Sequence, residues 1–383
     1  MTDAPAPVAV DPLAGFTVGL TAARRADELG ALFERRGATV VGAPAIRIVP
    51  LSDDAELWSA TRLVIADPPQ FVVVTTGIGF RGWVEAAQGW GLADELLATL
   101  GSVRIVARGP KATGAIRAAG LREEWSPASE SSVEVRDHLV AEGVAGVRIA
   151  VQLHGATTRW EPLPDFGEAL REAGADVVAV PVYRWTPPPD VAPLDRLLES
   201  VVAGQVDCLT FTSAPAVASV LDRAASTGML ELLLDALRDH VLVACVGPVT
   251  AGPLDALGIE SVQPRRARLG ALARLVTDEL PARAPIWSAG GHTVSLRGHG
   301  VIVDGELRPV APAGMAMLRA LTRAPGQVVT REQLLGALPG GGGDTHAVET
   351  AVARLRAALG APAVVQTVVK RGYRIPVEAG VGE

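Results

Sequence analysis

Two hydrophobic rhythms divide the chain. Through about residue 280, short apolar runs such as "VRIVA" (103–107), "FVVVTT" (71–76), "CLTFT" (208–212) and "VLVAC" (241–245) alternate with segments of helical spacing. Buried runs of this kind, bounded by Gly and Pro, predict parallel strands covered by helices on both faces. Towards the end the helical period dominates. In "THAVETAVARLRAAL" (345–359), Val348, Val352, Leu355 and Leu359 form one stripe, extended by Ala351 and Ala358. The opposite face holds His346, Thr350, Ala353 and Ala357, with Arg354 beside them. An ordinary exposed face would carry Glu and Lys, so a bare one predicts close approach to another surface. "PAGMAMLRALTRAPG" and "TREQLLGAL" predict two further helices, the second opened by a capping box of Thr330 and Gln333. "VVQTVVKRGYRI" predicts a terminal hairpin with Lys370 and Arg371 at its tip.

The front part is internally duplicated. "VRIVARGPKATGAIRAAGL" (103–121) matches "VLVACVGPVTAGPLDALGI" (241–259), placing Gly109, Pro110, Gly114 and Gly120 on Gly247, Pro248, Gly252 and Gly258. "FVVVTTGIGFRGWVEAA" (71–87) matches "CLTFTSAPAVASVLDRA" (208–224), and "RRGATVVGAPAIRIVP" (35–50) matches "EAGADVVAVPVYRWTP" (172–187). The repeat predicts two similar α/β lobes with a cleft outside the carboxyl ends of their strands. The loops there are "TTGIGF", "ARGPKAT", "LHGATT", "TSAPA" and "CVGPVT". Each precedes a helix, and helix amino ends favour anions. Thr75, Thr76, Gly77, Gly109, Thr113, His154, Thr212, Ser213 and Gly247 are therefore the expected lining of a cleft for a polyanion. Gly77, Gly79 and Gly82 fit G-x-G-x-x-G, but the duplicate reads "SAPAVA" and no acidic residue follows at the right distance. A tight turn is the expected role of these glycines.

Charge separates the same two parts. From Ala282 onward there are 11 Arg plus Lys against 7 Asp plus Glu, and before it 24 against 35. An acidic body with a basic tail domain points to a nucleic-acid partner for the tail alone. "PARAPIWSAGGHT" (281–293) has the composition of a connection, so 282–294 is expected to be a linker, and 1–14 and 378–383 flexible tails. Cys208 and Cys245 lie in strand-like runs and are expected to be buried free thiols. No apolar run approaches the ~20 residues that span a bilayer, and the expected compartment is the cytoplasm. The histidines have no metal-ligand spacing, and Thr212-Ser213 lacks the frame of a hydrolase nucleophile. No metal or cofactor is expected.

From Gly15 to about Leu280 the chain resembles uroporphyrinogen-III synthases, on "VGLTAARRADELGALFERRGATVVGAPAIRIVP", "DCLTFTSAPAVASVL", "VYR" (182–184) and "VGPVTA" (246–251). The resemblance implies a bilobal domain over 15–281 with a two-stranded connection. Its first lobe would comprise 15–48 and 184–281, and its second 49–183. It also implies closure of linear hydroxymethylbilane, a polycarboxylate, without metal or cofactor. Tyr183 and Thr250 match two of the family's cleft side chains. The third position holds Ala112, with Thr113 one residue further on.

Over 295–377 the chain resembles the winged-helix effector domain of OmpR-type response regulators, on "LRALTRAPGQVVTREQLL", "AVETAVARLRAALG" and "TVVKRGYRI". That resemblance implies double-stranded DNA as the partner, with the helix from Thr345 in the major groove and Thr350, Ala353, Arg354 and Ala357 facing bases. Arg356, Lys370, Arg371 and Arg374 would hold phosphates. The combination is similar to actinobacterial regulators of nitrate and nitrite assimilation. The expectation is a promoter-binding regulator whose large domain senses an anionic small molecule or a tetrapyrrole. The alternatives are a bifunctional synthase that also binds DNA, and a scaffold that docks a partner regulator; a homodimer is compatible with each.

Overall fold

The apolar runs become strands of four or five residues whose side chains are almost all buried, and the helical segments pack on both faces of the sheets they form. The computed structural model describes residues 10–50, 55–128, 131–153, 166–338 and 345–376. β1 (Thr17–Leu20), α1 (Ala26–Glu34) and β2 (Thr39–Gly42) open the first lobe, and β3 (Arg47–Pro50) leaves it. The second lobe follows as α2 (Ala55–Ala66), β4 (Phe71–Val74), α3 (Gly77–Gly89), α4 (Ala93–Ser102), β5 (Arg104–Ala107) and α5 (Pro110–Ala118). It is completed by α6 (Ser132–Glu142), β6 (Arg148–Gln152), α7 (Phe166–Glu172) and β7 (Asp176–Val180). The chain returns through β8 (Tyr183–Thr186) to α8 (Ala192–Val202), β9 (Cys208–Phe211), α9 (Ala214–Ser226) and α10 (Leu230–Asp239). β10 (Leu242–Cys245), α11 (Pro248–Asp255) and α12 (Leu269–Arg283) finish the first lobe.

The duplication is carried into three dimensions. The parallel sheets have the orders β10-β9-β1-β2 and β5-β4-β6-β7. β4 and β9, α3 and α9, α4 and α10, and α2 and α8 each begin 137 residues apart (71 and 208, 77 and 214, 93 and 230, 55 and 192). Counterpart strands hold counterpart places, and β3 pairs antiparallel with its own counterpart β8, Ile48 opposite Trp185. The first lobe is thus discontinuous because β1, α1 and β2 supply the half of its sheet that β6, α7 and β7 supply in the second. Each sheet is buried on both faces. In the second lobe Val72, Val74, Phe80 and Trp83 lie in one cluster and Val73, Val106, Ile149 and Val151 in another. Buried Thr61 accepts the Trp83 indole N–H at 2.9 Å, so the largest core side chain leaves no polar atom unpaired. Cys208 and Cys245 are buried free thiols, and burial pushes Cys245 up to about 12.

The third unit starts earlier than the sequence suggested. β11 (Ile286–Ala289), β12 (His292–Leu296), β13 (Gly300–Val303) and β14 (Glu306–Pro309) form an antiparallel meander, occupying much of the stretch 282–294 expected to be a linker. The reason is turn chemistry. Gly290 and Gly291 have φ of 59° and 80°, and Asp304 and Gly305 have φ of 50° and 82°, the positive pairs that two-residue hairpins require. Gly-Gly and Asp-Gly are hairpin signals here, not spacer residues. α13 (Pro312–Thr322), α14 (Arg331–Ala337), α15 (Thr345–Leu359), β15 (Gln366–Val368) and β16 (Gly372–Arg374) follow. The capping box of α14 is formed, Thr330 Oγ1 accepting from Gln333 N at 3.2 Å and Gln333 Oε1 from Thr330 N at 2.9 Å.

A joint fixes this unit to the first lobe. The turn between β12 and β13 sends Arg297 Nη1 onto the carbonyls of Pro12 and Ala14, at 2.8 and 2.7 Å, with the guanidinium 5.0 Å from the Phe16 ring. His299 N donates to the Gly15 carbonyl at 2.9 Å. The Asp207 carboxylate accepts from Thr17 N at 2.7 Å and lies flush against Gly298, where any Cβ would overlap it. Arg319 Nη2 reaches the Gly298 carbonyl at 2.6 Å. The joint also orders part of the expected N-terminal tail, since Leu13 is fully buried and donates its N–H to the Arg36 carbonyl. Residues 1–9 and 377–383, with the rest of both expected tails, lie outside the described residues.

Burial raises Asp207 to about 6, against the opposing pull of the Thr17 N–H and the Arg319 charge. The protonated acid is therefore the form that suits the folded chain. Its contribution is complete below the ordinary carboxylate pKa and is lost as pH rises through about 6. Asp207→Asn, an analogue of the protonated acid, is expected to raise the melting temperature relative to the wild type at pH 8 and to change it little at pH 4. An equal shift at both pH values would show that the carboxylate carries no ionisation cost at the joint.

Candidate functional site

At the carboxyl ends of the sheets, cleft residues come together from both copies of the repeat. Thr76 is the amino cap of α3; its hydroxyl accepts from Gly79 N at 3.1 Å and lies 3.2 Å from the Tyr183 hydroxyl. Gln152, fully buried at the end of β6, accepts the Thr76 N–H through Oε1 at 3.1 Å and donates to the Leu153 carbonyl. That side chain was missed from sequence, although a glutamine closing the apolar run "RIAVQ" is its signal. Thr75 faces inward instead of lining the cleft: it is 4% exposed and donates to the Gln152 carbonyl at 2.6 Å.

Gly77 and Gly79 do not form the tight turn expected of them. They lie in the first turn of α3, where a Cβ on Gly77 would overlap the Lys111 carbonyl and one on Gly79 the Gln152 amide. Gly77 lets α3 pack closely on α5, and Gly79 leaves room for the Gln152 amide at the end of β6. Gly109 and Gly247 cap α5 and α11 as extended residues, each followed by proline. Thr250 is buried in the first turn of α11, and its counterpart Ala112 is buried in α5, while Thr113 is half-buried. Thr212 and Ser213 are half-buried, and Ser213 caps α9 with no side-chain cap bond. His154 and most of "LHGATT" lie outside the described residues.

Tyr183 links the lobes electrostatically. It is 5% exposed, and burial raises its pKa; the Thr76 hydrogen bond and the charges of Arg108 and Arg24 act in the opposite direction. Arg108 follows β5 in the second lobe, and Arg24 follows β1 in the first. The charges of two arginines, one from each lobe, therefore act on one buried hydroxyl. Neither arginine was singled out from sequence, because each sits in a loop whose place at the cleft only the fold reveals. No cluster of His, Cys, Asp and Glu able to hold a metal occurs among the described residues.

A second surface is built by α15 and the terminal hairpin. Val348, Val352, Leu355 and Leu359 are buried against α13 and α14, as the period required. Ala353, Arg354 and Ala357 are exposed and Thr350 is half-buried. Lys370 and Arg371 are exposed in the three-residue loop between β15 and β16. The other two expected phosphate contacts are engaged elsewhere. Arg356 donates from Nε and Nη2 to the Val365 carbonyl, at 2.9 and 2.6 Å, and to Thr367 Oγ1 at 2.8 Å. It braces α15 against the hairpin, a contact that no helical period announces. Arg374 donates to Gln366 Oε1 across the hairpin at 2.7 Å. No described helix is long and apolar enough to cross a membrane.

With this geometry in hand, the likeness to known proteins is specific. Residues 27–274 match the family described as uroporphyrinogen-III synthase HemD, and residues 305–375 match the C-terminal domain of transcriptional regulatory proteins. A crystal structure of mutant uroporphyrinogen III synthase from the extremely thermophilic bacterium Thermus thermophilus aligns over 69% of this chain and 98% of its own, at 27% identity and a TM-score of 0.58. The uncharacterized protein YjjA of Bacillus subtilis is 28% identical over 261 residues, covering 68% of this chain and 94% of its own. The transcriptional regulatory protein CutR of Streptomyces coelicolor is 37% identical over 111 residues, 28% of this chain and half of CutR. The chain belongs to the uroporphyrinogen-III synthase family and carries, after that domain, the DNA-binding C-terminal domain of OmpR-type transcriptional regulators.

Proposed function

We propose that the protein is a sequence-specific transcription regulator whose bilobal domain binds a small anion and adjusts the DNA affinity of the C-terminal domain. One observation carries the DNA-reading half. The outer face of α15 is kept bare, with Arg354 exposed and no carboxylate partner for it among the described residues. A solvated helix would carry paired charge there; a helix laid in the major groove needs small residues and a free guanidinium. Lys370 and Arg371, at the hairpin tip, are suited to phosphates. The sensing half is supported by Arg24 and Arg108 converging on Tyr183, and by the joint that ties the same lobe to the DNA reader. Such a regulator works in the cytoplasm. The resemblance noted from sequence points to nitrate and nitrite assimilation genes as targets, and absence of binding at their promoters would remove that assignment.

Arg354→Ala is expected to weaken binding to the cognate operator by ~1–3 kcal/mol with little effect on random duplex. Arg371→Ala should weaken both alike and reduce the salt slope by about one. Gel-shift titrations across a salt series separate the two. Equal losses on operator and random DNA for Arg354→Ala would take that residue out of base reading.

A second reading, retained synthase activity, is favoured by the Thr76–Tyr183 pair and the buried Thr250. Against it stands Ala112, which leaves the α5 side of the cleft without the hydroxyl that Thr250 supplies on the α11 side. Conversion of hydroxymethylbilane to the type III isomer is expected to fall far below that of a dedicated synthase, the spontaneous type I product dominating. Robust type III formation, lost in Tyr183→Phe and Thr250→Val, would establish the bifunctional alternative.

A further inference from the structure

The repeat extends beyond the named strands, and there its two copies diverge in charge. Trp125 bridges in parallel to Val106, and Val262 to Ala244, 137 residues apart (125 and 262). Ala107 N donates to the Trp125 carbonyl and Cys245 N to the Val262 carbonyl, both at 3.0 Å. Each lobe thus gains a short fifth parallel segment, followed by a loop into α6 or α12. Those loops are counterparts, Pro127 with Pro264 and the helix caps Ser131 with Arg268. In the second lobe the loop reads "PASES" (127–131), and in the first "PRRAR" (264–268).

Placement puts the arginines at the cleft. The loop leaves the carboxyl end of the first sheet, as the cap of α11 does, and a Cβ on that cap, Gly247, would sit 3.6 Å from the Ala267 Cβ. Arg265, Arg266 and Arg268 are exposed together in one short loop and have no carboxylate partner among the described residues. Arg268 is also in a locally unfavourable place. It caps α12 with no side-chain hydrogen bond and brings a cation to the positive end of the helix, while Ser131 caps α6 by accepting from Val133 N at 3.1 Å. Local stability favours the serine. Three unpaired cations on the cleft rim of an otherwise acidic body are accounted for by a negatively charged occupant.

We propose that the Pro264–Arg268 loop is an anion-binding element of the cleft, taking carboxylate or phosphate groups of a ligand that carries several of them on one edge. This rests on the reading of the bilobal domain as an anion sensor and adds the element of the cleft that recognises a ligand carrying several charges. The neutral hydroxyls and buried amides of the second lobe supply shape, while the first lobe supplies the charge preference.

The test uses the full-length protein with three probes: a fluorescent octacarboxylate porphyrin, its tetracarboxylate counterpart and inorganic tripolyphosphate as a competitor. The variant is Arg265→Gln, Arg266→Gln and Arg268→Gln combined. The control removes the same charge from exposed residues at the far end of the strands, Arg35→Gln, Arg122→Gln and Arg238→Gln. The loop variant is expected to bind the octacarboxylate roughly tenfold more weakly than the control and to lose its preference over the tetracarboxylate. Competition by tripolyphosphate would identify anionic charge as the recognised feature; competition by the tetracarboxylate alone would identify the porphyrin carboxylates. Equal affinities in variant and control, or no binding of any probe by the wild type, would overturn the proposal. So would a loss by the loop variant confined to DNA binding, which would make the loop a duplex contact. Failure of the wild type to bind any probe removes the anion-sensor reading itself, whereas wild-type binding that the loop variant retains removes only the role of the loop.

Discussion

Hydrogen bonds at the amino end of one short strand decide whether this chain is one device or two. The joint is made by Arg297 on the Pro12 and Ala14 carbonyls, His299 N on the Gly15 carbonyl, and Asp207, itself held by Thr17 N, against Gly298. β1 then runs its four residues, roughly 13 Å at the usual rise, and leads into the loop of Arg24, whose charge bears on Tyr183. β9, hydrogen-bonded beside it, begins next to Asp207 and ends at Thr212 and Ser213. Two central strands of the first sheet therefore touch the DNA-reading unit at one end and the ligand cleft at the other. A close-packed sheet does not stretch, so under the proposed sensing role a movement of the first lobe would carry the reader with it.

The two lobes, alike in backbone, differ in chemistry. Where α11 presents Thr250, α5 presents Ala112, and where the second lobe has serines the first has arginines. The Tyr183 hydroxyl is already engaged by Thr76 and almost fully enclosed. On the proposed reading, such a cleft would hold a polyanion without the full set of hydroxyls that the resemblance implies for catalysis. Binding needs only complementarity to the bound molecule, whereas catalysis needs groups aimed at the transition state.

The elements legible in the sequence were those set by periodicity. The repeat offset foretold which strands occupy equivalent places, and the α15 stripe foretold its buried face to the residue. The meander from β11 to β14 was hidden because Gly290-Gly291 and Asp304-Gly305, genuine turn signals, sit in a stretch whose Pro, Ala and Gly content suggests a spacer. Arg356 could not be assigned from its helix position, since the Val365 carbonyl that holds it lies beyond the end of α15. Gln152, Arg24 and Arg108 share that limitation: each acts through a partner from a distant segment. Leu13 looked like part of a loose tail until the Arg297 turn closed over its neighbours.

The central claim is that cleft and DNA reader are linked through the joint, and linkage is reciprocal. The direct measurement is calorimetric titration of the octacarboxylate porphyrin into the full chain, with and without operator DNA, for the wild type and for Gly298→Ala. Gly298→Ala places a methyl group against the Asp207 carboxylate and should loosen the joint without touching either binding surface. The account predicts that operator changes the wild-type ligand affinity by the factor the ligand changes operator affinity, on the order of 5–150-fold. In Gly298→Ala both molecules should still bind, with that factor close to one. Wild-type ligand affinity unchanged by operator would contradict it.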